Sequence, residues 1–462
     1  MVEETMGLFS GFVFSINVMI GAGFLGLPYS FSQTGIVLSL IYLILLCLLN
    51  NYLSLIFLEV MHKAFLLKNM KEEGASFTFK TRDFFKSSKL EFASFDTSRT
   101  FEDYRIDASV AMSVIFGRKF GIFYLAILTI CFEGTLVAYA SIFSTSLADN
   151  IPLITGSSCN IYEKGYFSSC LYSYWIFLFF FSLIVITLTL IDLKEQRVFQ
   201  IVMCIMRFTI MSLVIFSCIS IMISGKSIDS SKKSHASPTL FNFSNTEIGL
   251  PIIIFALLYQ LQMPSVTQYV KDKKSNLWRI ISLVSVTSFV WYGALGLVVP
   301  YAIDDVAAQV SLNFADYSGG KDYRNIWDYT VSYIVLLFPA FDVLSSYPLA
   351  SISIADNWKA MVYGEENIPK KKIVILKLIF SIIPLIISFF LYDIGMILDI
   401  IGLSPLFVFH IMVPLTHISV RMLWHSPTPY DVKFYWRPFN LIIALGSFSL
   451  LIYLISGLIS DI

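Results

Sequence analysis

Four ionisable side chains sit deep inside long apolar runs of this chain: Glu133, Arg207, Asp342 and His410. If those runs cross a bilayer, a charge at mid-span costs at least about 2.5 kcal/mol, so each group needs a partner or a wet cavity. Glu133 and Arg207 have opposite charges, which allows a structural ion pair between two helices. Alternatively, Glu133 borders a pocket and favours a cationic ligand side chain. Asp342 is followed three and four residues on by Ser345 and Ser346, which puts a carboxylate and two hydroxyls on one helix face. Pro348 lacks the amide that would bond the Leu344 carbonyl, which frees a further oxygen beside them. Such a set suits a hard cation; a carboxylate on a proton path would look the same. His410 reads as a neutral, hydrogen-bonded helix contact.

Gly21-Ala22-Gly23-Phe24-Leu25-Gly26 has the spacing of a dinucleotide-binding loop. That loop follows a strand in a βαβ unit, whereas this one lies within an apolar run, where glycines also serve close helix packing. A third reading fits better. The glycines weaken a helix, and Pro28 leaves the Phe24 carbonyl without its intrahelical donor. Unpaired backbone is tolerated at membrane depth only where it is buried in protein or lines a cavity. Broken helices present free amides to an anion and free carbonyls to a cation, so the matching ligand is small and zwitterionic. A second break is expected after Pro251, where Tyr259, Gln260 and Gln262 interrupt apolar sequence and Pro264 frees the Gln260 carbonyl.

The elements that must position these groups are membrane helices. Of 462 residues, 56% are hydrophobic and 14% charged, with a mean hydropathy of +0.75; soluble domains carry about 25% charged residues. Disorder is excluded and an ordinary soluble enzyme disfavoured. Apolar blocks near 7–31, 35–61, 119–147, 173–191, 197–224, 247–270, 280–303, 330–355, 373–392, 394–416 and 438–459 predict eleven spans. They form one transmembrane domain over 1–462. Loops after the even-numbered spans, with Lys119 and Arg197 at the span edges, hold 24 lysines and arginines against 6 after the odd-numbered ones, which predicts a cytosolic amino terminus. The acidic start, Glu3 and Glu4, argues against a cleaved signal.

Residues 62–118 are expected to form a cytosolic loop that ends in a short amphipathic surface helix, with Ile106, Val110, Val114 and Ile115 at helical spacing. Cys159 and Cys170 share a loop on the oxidising side, where a disulfide is allowed but not required. No cysteine and histidine spacing suits a metal, and a net charge of zero gives no electrostatic case for nucleic acid. The breaks in spans one and six are five helices apart. That is the spacing of two five-helix repeats of inverted topology around one central site.

The run Asn17-Val-Met-Ile-Gly-Ala-Gly-Phe-Leu-Gly-Leu-Pro-Tyr-Ser-Phe-Ser-Gln-Thr-Gly35 resembles the first-helix signature of the amino acid/auxin permease family. Ile115-Phe-Gly-Arg118, Leu250-Pro-Ile-Ile-Ile-Phe-Ala256, Tyr347-Pro-Leu349 and Ile401-Gly-Leu-Ser404 support it in matching order. The resemblance, nearest to the sodium-coupled neutral and the vacuolar branches, implies an all-α integral membrane protein. Its fold would be the LeuT-like one of the APC superfamily: a 5+5 inverted repeat with discontinuous helices one and six, plus an eleventh helix. It implies secondary active amino acid transport by alternating access in a plasma or vacuolar/lysosomal membrane, with the lipid bilayer as surroundings. The amides of Gly21, Ala22 and Gly23 would then hold a carboxylate, and carbonyls near Phe24 and Gln260 an ammonium. Tyr259 and Glu133 would border the side-chain pocket. In the sodium-coupled branch the positions matching Asn17 and Ser346 contribute to a cation site, so coupling is expected at Asn17, Asp342, Ser345 and Ser346, with Na+ favoured over H+ and no other cofactor. One departure is Tyr259-Gln260, where the family often has Cys-His. No covalent chemistry is implied, so the chain is not expected to be an enzyme. The competing readings are an amino acid sensor on the same fold and a membrane-embedded enzyme, for which no converging catalytic set is evident.

Overall fold

The structure, a computed structural model, describes residues 7–72, 107–151, 169–191, 195–224, 228, 238–267, 270–319, 321, 323–364, 368–391 and 403–460. The first apolar block is two helices, α1 (Leu8–Met19) and α2 (Leu27–Thr34), bent by 54° across a 3-10 turn at Ala22–Leu25. Pro28 sits in the first turn of α2, where its missing amide costs no hydrogen bond. Five continuous helices follow: α3 (Ile36–Glu72), α4 (Ala108–Phe116), α5 (Arg118–Asn150), α6 (Ser169–Leu190) and α7 (Arg197–Ser224). The sixth block is broken too, into α8 (Thr246–Ala256), a 3-10 turn at Gln260–Gln262, and α9 (Met263–Thr267), which carries Pro264 in its first turn. Then come α10 (Lys273–Ala302), α11 (Ile326–Tyr363), α12 (Lys370–Phe390), α13 (Leu403–Leu423) and α14 (Arg437–Ser460).

Among the described residues, nine helices are long and apolar enough to cross a membrane, and the bent α1–α2 pair makes ten. The other expected span is the broken sixth, whose apolar piece, Phe243–Ala256, is too short to count alone. The outer faces are apolar: Phe179, Phe180 and Leu183 on α6 and Ile205, Phe216 and Ile223 on α7 are exposed. Helices suit lipid because each satisfies its own backbone. Serine and threonine hydroxyls bond back to carbonyls four residues earlier, as from Thr135 to Cys131 and from Ser182 to Leu178. In α11, 78% of the apolar window is buried inside the protein, against 28% in α14. The helix that carries Asp342 and its serines is therefore central, and the last helix is peripheral.

Two expectations about connections are corrected. Residues 62–72 continue α3 rather than begin a loop, and residues 73–106, with Ile106, lie outside the described residues. The expected short helix exists as α4, but Ala111, Met112, Val114 and Ile115 are buried in the bundle and Ser109 Oγ bonds Asn357 Oδ1 at 3.2 Å. Its apolar stripe buries against neighbouring helices instead of lying on the cytosolic surface. Of the cysteine pair, Cys159 lies outside the described residues; Cys170, at the start of α6, is disulfide-bonded.

Candidate functional site

A cavity of about 40 Å³ lies between the two helix breaks and α5. Val18, Met19, Gly21 and Gly23 form one wall, Phe255, Leu258, Tyr259 and Gln262 a second, and Cys131, Phe132, Thr135 and Tyr139 a third. Among the described residues, the amides of Gly21 and Gly23 donate no hydrogen bond. The amide oxygen of Gln262 is buried with no partner among the described residues. One wall thus offers donors and another an acceptor.

Both breaks are tied together from behind. Met19 ends α1 and Ala256 ends α8, so each carbonyl lacks an intrahelical donor. The Tyr292 hydroxyl, on α10, reaches both, at 2.8 Å from the Met19 oxygen and 3.0 Å from the Ala256 oxygen. Gly23 lets the breaks meet, since a Cβ there would stand 2.7 Å from Ala256 Cα. A side chain at Gly23 would push the breaks apart before it met any ligand, so the packing role of this glycine is real alongside the binding role. At Gly21 a Cβ would instead stand 3.1 Å from the Tyr139 hydroxyl, on the cavity side.

Behind α1, Arg207 of α7 is 1% exposed and fully engaged. A guanidinium has five N–H donors, and here each has an acceptor. Nε bonds Asp342 Oδ1. Nη1 bonds the Asn17 carbonyl and Asn17 Oδ1, both at 2.8 Å. Nη2 bonds Ser345 Oγ at 3.0 Å and Ser346 Oγ at 3.2 Å. The C-terminal end of α1, negative by its dipole, thereby meets a cation. Gln200, two turns before Arg207 on the same face of α7, accepts from Asn17 Nδ2 at 2.8 Å and donates to the Ser345 carbonyl at 3.2 Å.

The structure thus brings together Asn17, Asp342, Ser345 and Ser346, and it sets Gly21, Gly23 and Tyr259 at the cavity. Other expected placements differ. Arg207 pairs with Asp342, not with Glu133. Glu133 does not line the cavity: Phe132, Thr135 and Tyr139 do, and at 100° per residue Glu133 projects from the far side of α5. Both its carboxylate oxygens are buried without a hydrogen-bond partner among the described residues. Of the carbonyls expected to take an ammonium, that of Gln260 is occupied by the Met263 amide, while the turn at Phe24 is closed by the Gly26 amide on the Gly23 carbonyl at 3.3 Å. Gln260 also turns its side chain back, with Oε1 accepting from the Tyr259 amide at 3.1 Å. Neither Phe24 nor Gln260 lines the cavity, and the side chain of Ala22 lies outside what the structure describes. The missed residues are Tyr139, Gln200 and Tyr292, while Gln262 was placed in the second break without a binding role. Of the three, Gln200 had a sequence signal, its seven-residue spacing to Arg207 on an apolar helix.

A second buried charge cluster, at Glu59 of α3, joins α3 to α13 and to the connection after it. Glu59 accepts from Lys63 Nζ at 2.7 Å, from Arg421 Nε and Nη2 at 2.5 and 2.7 Å, and from the Val432 amide at 2.8 Å. His417 Nε2 stands 3.1 Å away and Lys63 also meets Asp431 at 3.1 Å. Arg421 stacks 4.6 Å from the Tyr435 ring centre. Burial pushes the Tyr435 phenol above its ordinary range, so it stays neutral beside them.

Paired breaks around a small cavity, a buried ionic centre behind one of them and an apolar outer surface define a membrane transporter, and comparison with known proteins bears this out. The chain belongs to the transmembrane amino acid transporter protein family, whose model matches residues 4–460. It is 23% identical to human transmembrane protein 104 over 439 residues, 87% of this chain and 85% of that protein. It is 24% identical to the transmembrane protein 104 homolog of Dictyostelium discoideum over 489 aligned residues, 95% and 94% of the two chains. Among solved structures, a mutant (H236A) manganese transporter of Eremococcus coleocola superposes with a TM-score of 0.56 over 96% of this chain and 84% of that one. At 12% identity the likeness is one of fold. Among the described residues here, no group of three or more His, Cys, Asp or Glu is placed to hold a metal ion.

Proposed function

We propose that this protein carries amino acids across the membrane by alternating access, as a secondary active transporter built from two inverted five-helix repeats. The observation that carries the reading is the pair of unbonded amides, Gly21 and Gly23, facing a cavity whose opposite wall is the second helix break. A carboxylate docks on those amides, and Gln262 Oε1 accepts from the ammonium, the role first given to backbone carbonyls. Phe132, Phe255 and Leu258 then meet a neutral, apolar side chain. Typical ligand pockets hold about 300–1,000 Å³, so this cavity belongs to a closed state that must open to load. The loop charges favour a cytosolic amino terminus, in a plasma or vacuolar/lysosomal membrane. Ion coupling belongs to the same reading, with sodium at Asn17 and Ser346 or a proton at Asp342 as its options.

The test is exchange in proteoliposomes, with each of a panel of amino acids inside and its labelled form outside. Exchange of at least one neutral amino acid is expected. Gln262→Leu should raise its KM about tenfold, the effect of losing one hydrogen bond to a charged group. No exchange and no binding of any amino acid by the unaltered protein would overturn the proposal.

A further inference from the structure

The oxygens that sequence marks as a cation site are already serving a cation. A carboxylate oxygen of Asp342, the hydroxyls of Ser345 and Ser346, and the backbone and side-chain oxygens of Asn17 converge from α1 and α11 on one point. Carboxylate, hydroxyl and carbonyl oxygens at the unwound end of a helix are the ligands a transported Na+ uses. Here they surround the Arg207 guanidinium, delivered from α7, and all five of its donors are taken up. We infer that Arg207 is a built-in substitute for sodium: its guanidinium holds the sodium place between α1 and α11, and the carrier works without that ion.

Three physical points support this. A sodium ion in the same shell would put a second positive charge against Arg207 with one carboxylate, Asp342, to balance both. Two like charges held within one buried shell repel far more strongly than they would in water. A guanidinium also stays protonated at any physiological pH, so the place is never vacated by deprotonation. Finally, the charge is anchored covalently to α7, so it neither enters from one side of the membrane nor leaves on the other. The function sodium performs at such a place is to tie α1 to α11, and Arg207 performs it permanently. Tyr139 connects this centre to the cavity, since its hydroxyl interacts with Ser346 and faces Gly21.

This inference removes sodium from the two coupling options of the carrier reading above, and its consequence for transport rests on that reading; the binding test does not. The full chain in detergent is melted in sodium, potassium or choline chloride at equal ionic strength. The unaltered protein should show the same Tm in all three. Arg207→Ala frees the shell and should gain a saturable, sodium-specific rise in Tm of about 2 °C or more. Asp342→Asn added to it should abolish the gain. Arg207→Gln, which keeps a hydrogen-bonding head without the charge, serves as the second variant if the alanine protein is not recovered. A sodium-specific shift in the unaltered protein overturns the inference, and so does a recovered Arg207 variant with no response to sodium. In liposomes, replacing sodium by choline should leave amino acid exchange unchanged. Absence of any exchange while the binding results hold would count against the amino acid reading and leave the substitution of Arg207 for sodium standing.

Discussion

The two buried charge centres are built as opposites. At Arg207 one base is surrounded by acceptors, all from helices, and neither Arg207 nor Asp342 reaches solvent. At Glu59 one acid is surrounded by donors, but Arg421 and Asp431 remain about one fifth exposed and part of the shell comes from the connection at 424–436. The first is a closed shell in which, among the described residues, each partner is the only counter-charge of the other. The second shares its charge among Lys63, Arg421 and Asp431 with water close by. A closed ion pair contributes little when compared with an apolar core but costs much when half of it is removed. A shared, half-wet cluster tolerates loss of a member because another partner or water takes its place. The difference marks Arg207 as the centre where α1, α7 and α11 must agree on one arrangement, and Glu59 as a fastening of α3 to α13.

The largest effect should therefore come from breaking the closed pair. Asp342→Asn and Arg207→Met should each destabilise the protein by about 3–5 kcal/mol, the range for stranding one buried charge. Both should appear as low monodisperse yield and a lowered Tm in potassium. The double change, with no charge stranded, should recover most of the loss. Single variants as stable as the unaltered protein would show that water reaches Arg207 and would erase the contrast with Glu59. Glu59→Gln comes next. It weakens several hydrogen bonds to charged groups, each worth about 1.5–3 kcal/mol, but Lys63 keeps Asp431 and Arg421 keeps the Val432 carbonyl and the Tyr435 ring. Its loss should be smaller than that of Asp342→Asn in the same melting assay; a larger one would reverse the ranking of the two centres.

The same contrast explains what was legible in the sequence. Gly21, Gly23 and Pro28 are local signals for a break, and the break lies where they put it, because backbone permissiveness and a missing amide act within a few residues. Asp342, Ser345 and Ser346 share a face for the equally local reason of helical periodicity. The partner of Arg207 was not legible. Glu133 and Asp342 are both acids in mid-span, and which one meets Arg207 depends on the rotation of α5 and α11 about their axes, a product of packing across the whole bundle. The Gln260 carbonyl looked free for a related reason: proline removes one donor, but the Met263 amide replaces it through a tight 3-10 turn. The Glu59 cluster is hidden differently, because Glu59 falls at the end of the expected 35–61 span and Lys63 in the expected loop from 62, whereas α3 continues for a further three turns.

A smaller effect tests the clamp between the breaks. Tyr292→Phe removes one hydroxyl from the Met19 and Ala256 carbonyls, and a neutral hydrogen bond contributes about 0.5–1.5 kcal/mol. A modest fall in Tm is expected, together with faster hydrogen exchange at residues 20–26 and 257–262. Unchanged exchange at both breaks would mean that the contact of Gly23 with Ala256 alone holds them.

The smallest effect is expected at Glu133, and it is the most discriminating because it sets an unpartnered acid against the paired one. Asp342 has a guanidinium to lose; Glu133 has no partner among the described residues, and burying a charge without one is unfavourable from the start. Replacing its carboxyl by the isosteric amide should leave stability within about 0.5 kcal/mol, or raise it slightly, while Asp342→Asn costs several times more. Because Glu133 projects from the side of α5 away from Phe132, Thr135 and Tyr139, the same change should leave the ranking of transported amino acids unaltered. A loss of preference for cationic amino acids in Glu133→Gln would require the binding space to extend around α5 in another state of the transport cycle. It would return Glu133 to the pocket where its charge first suggested it, and set it apart from Asp342, whose charge is held by Arg207.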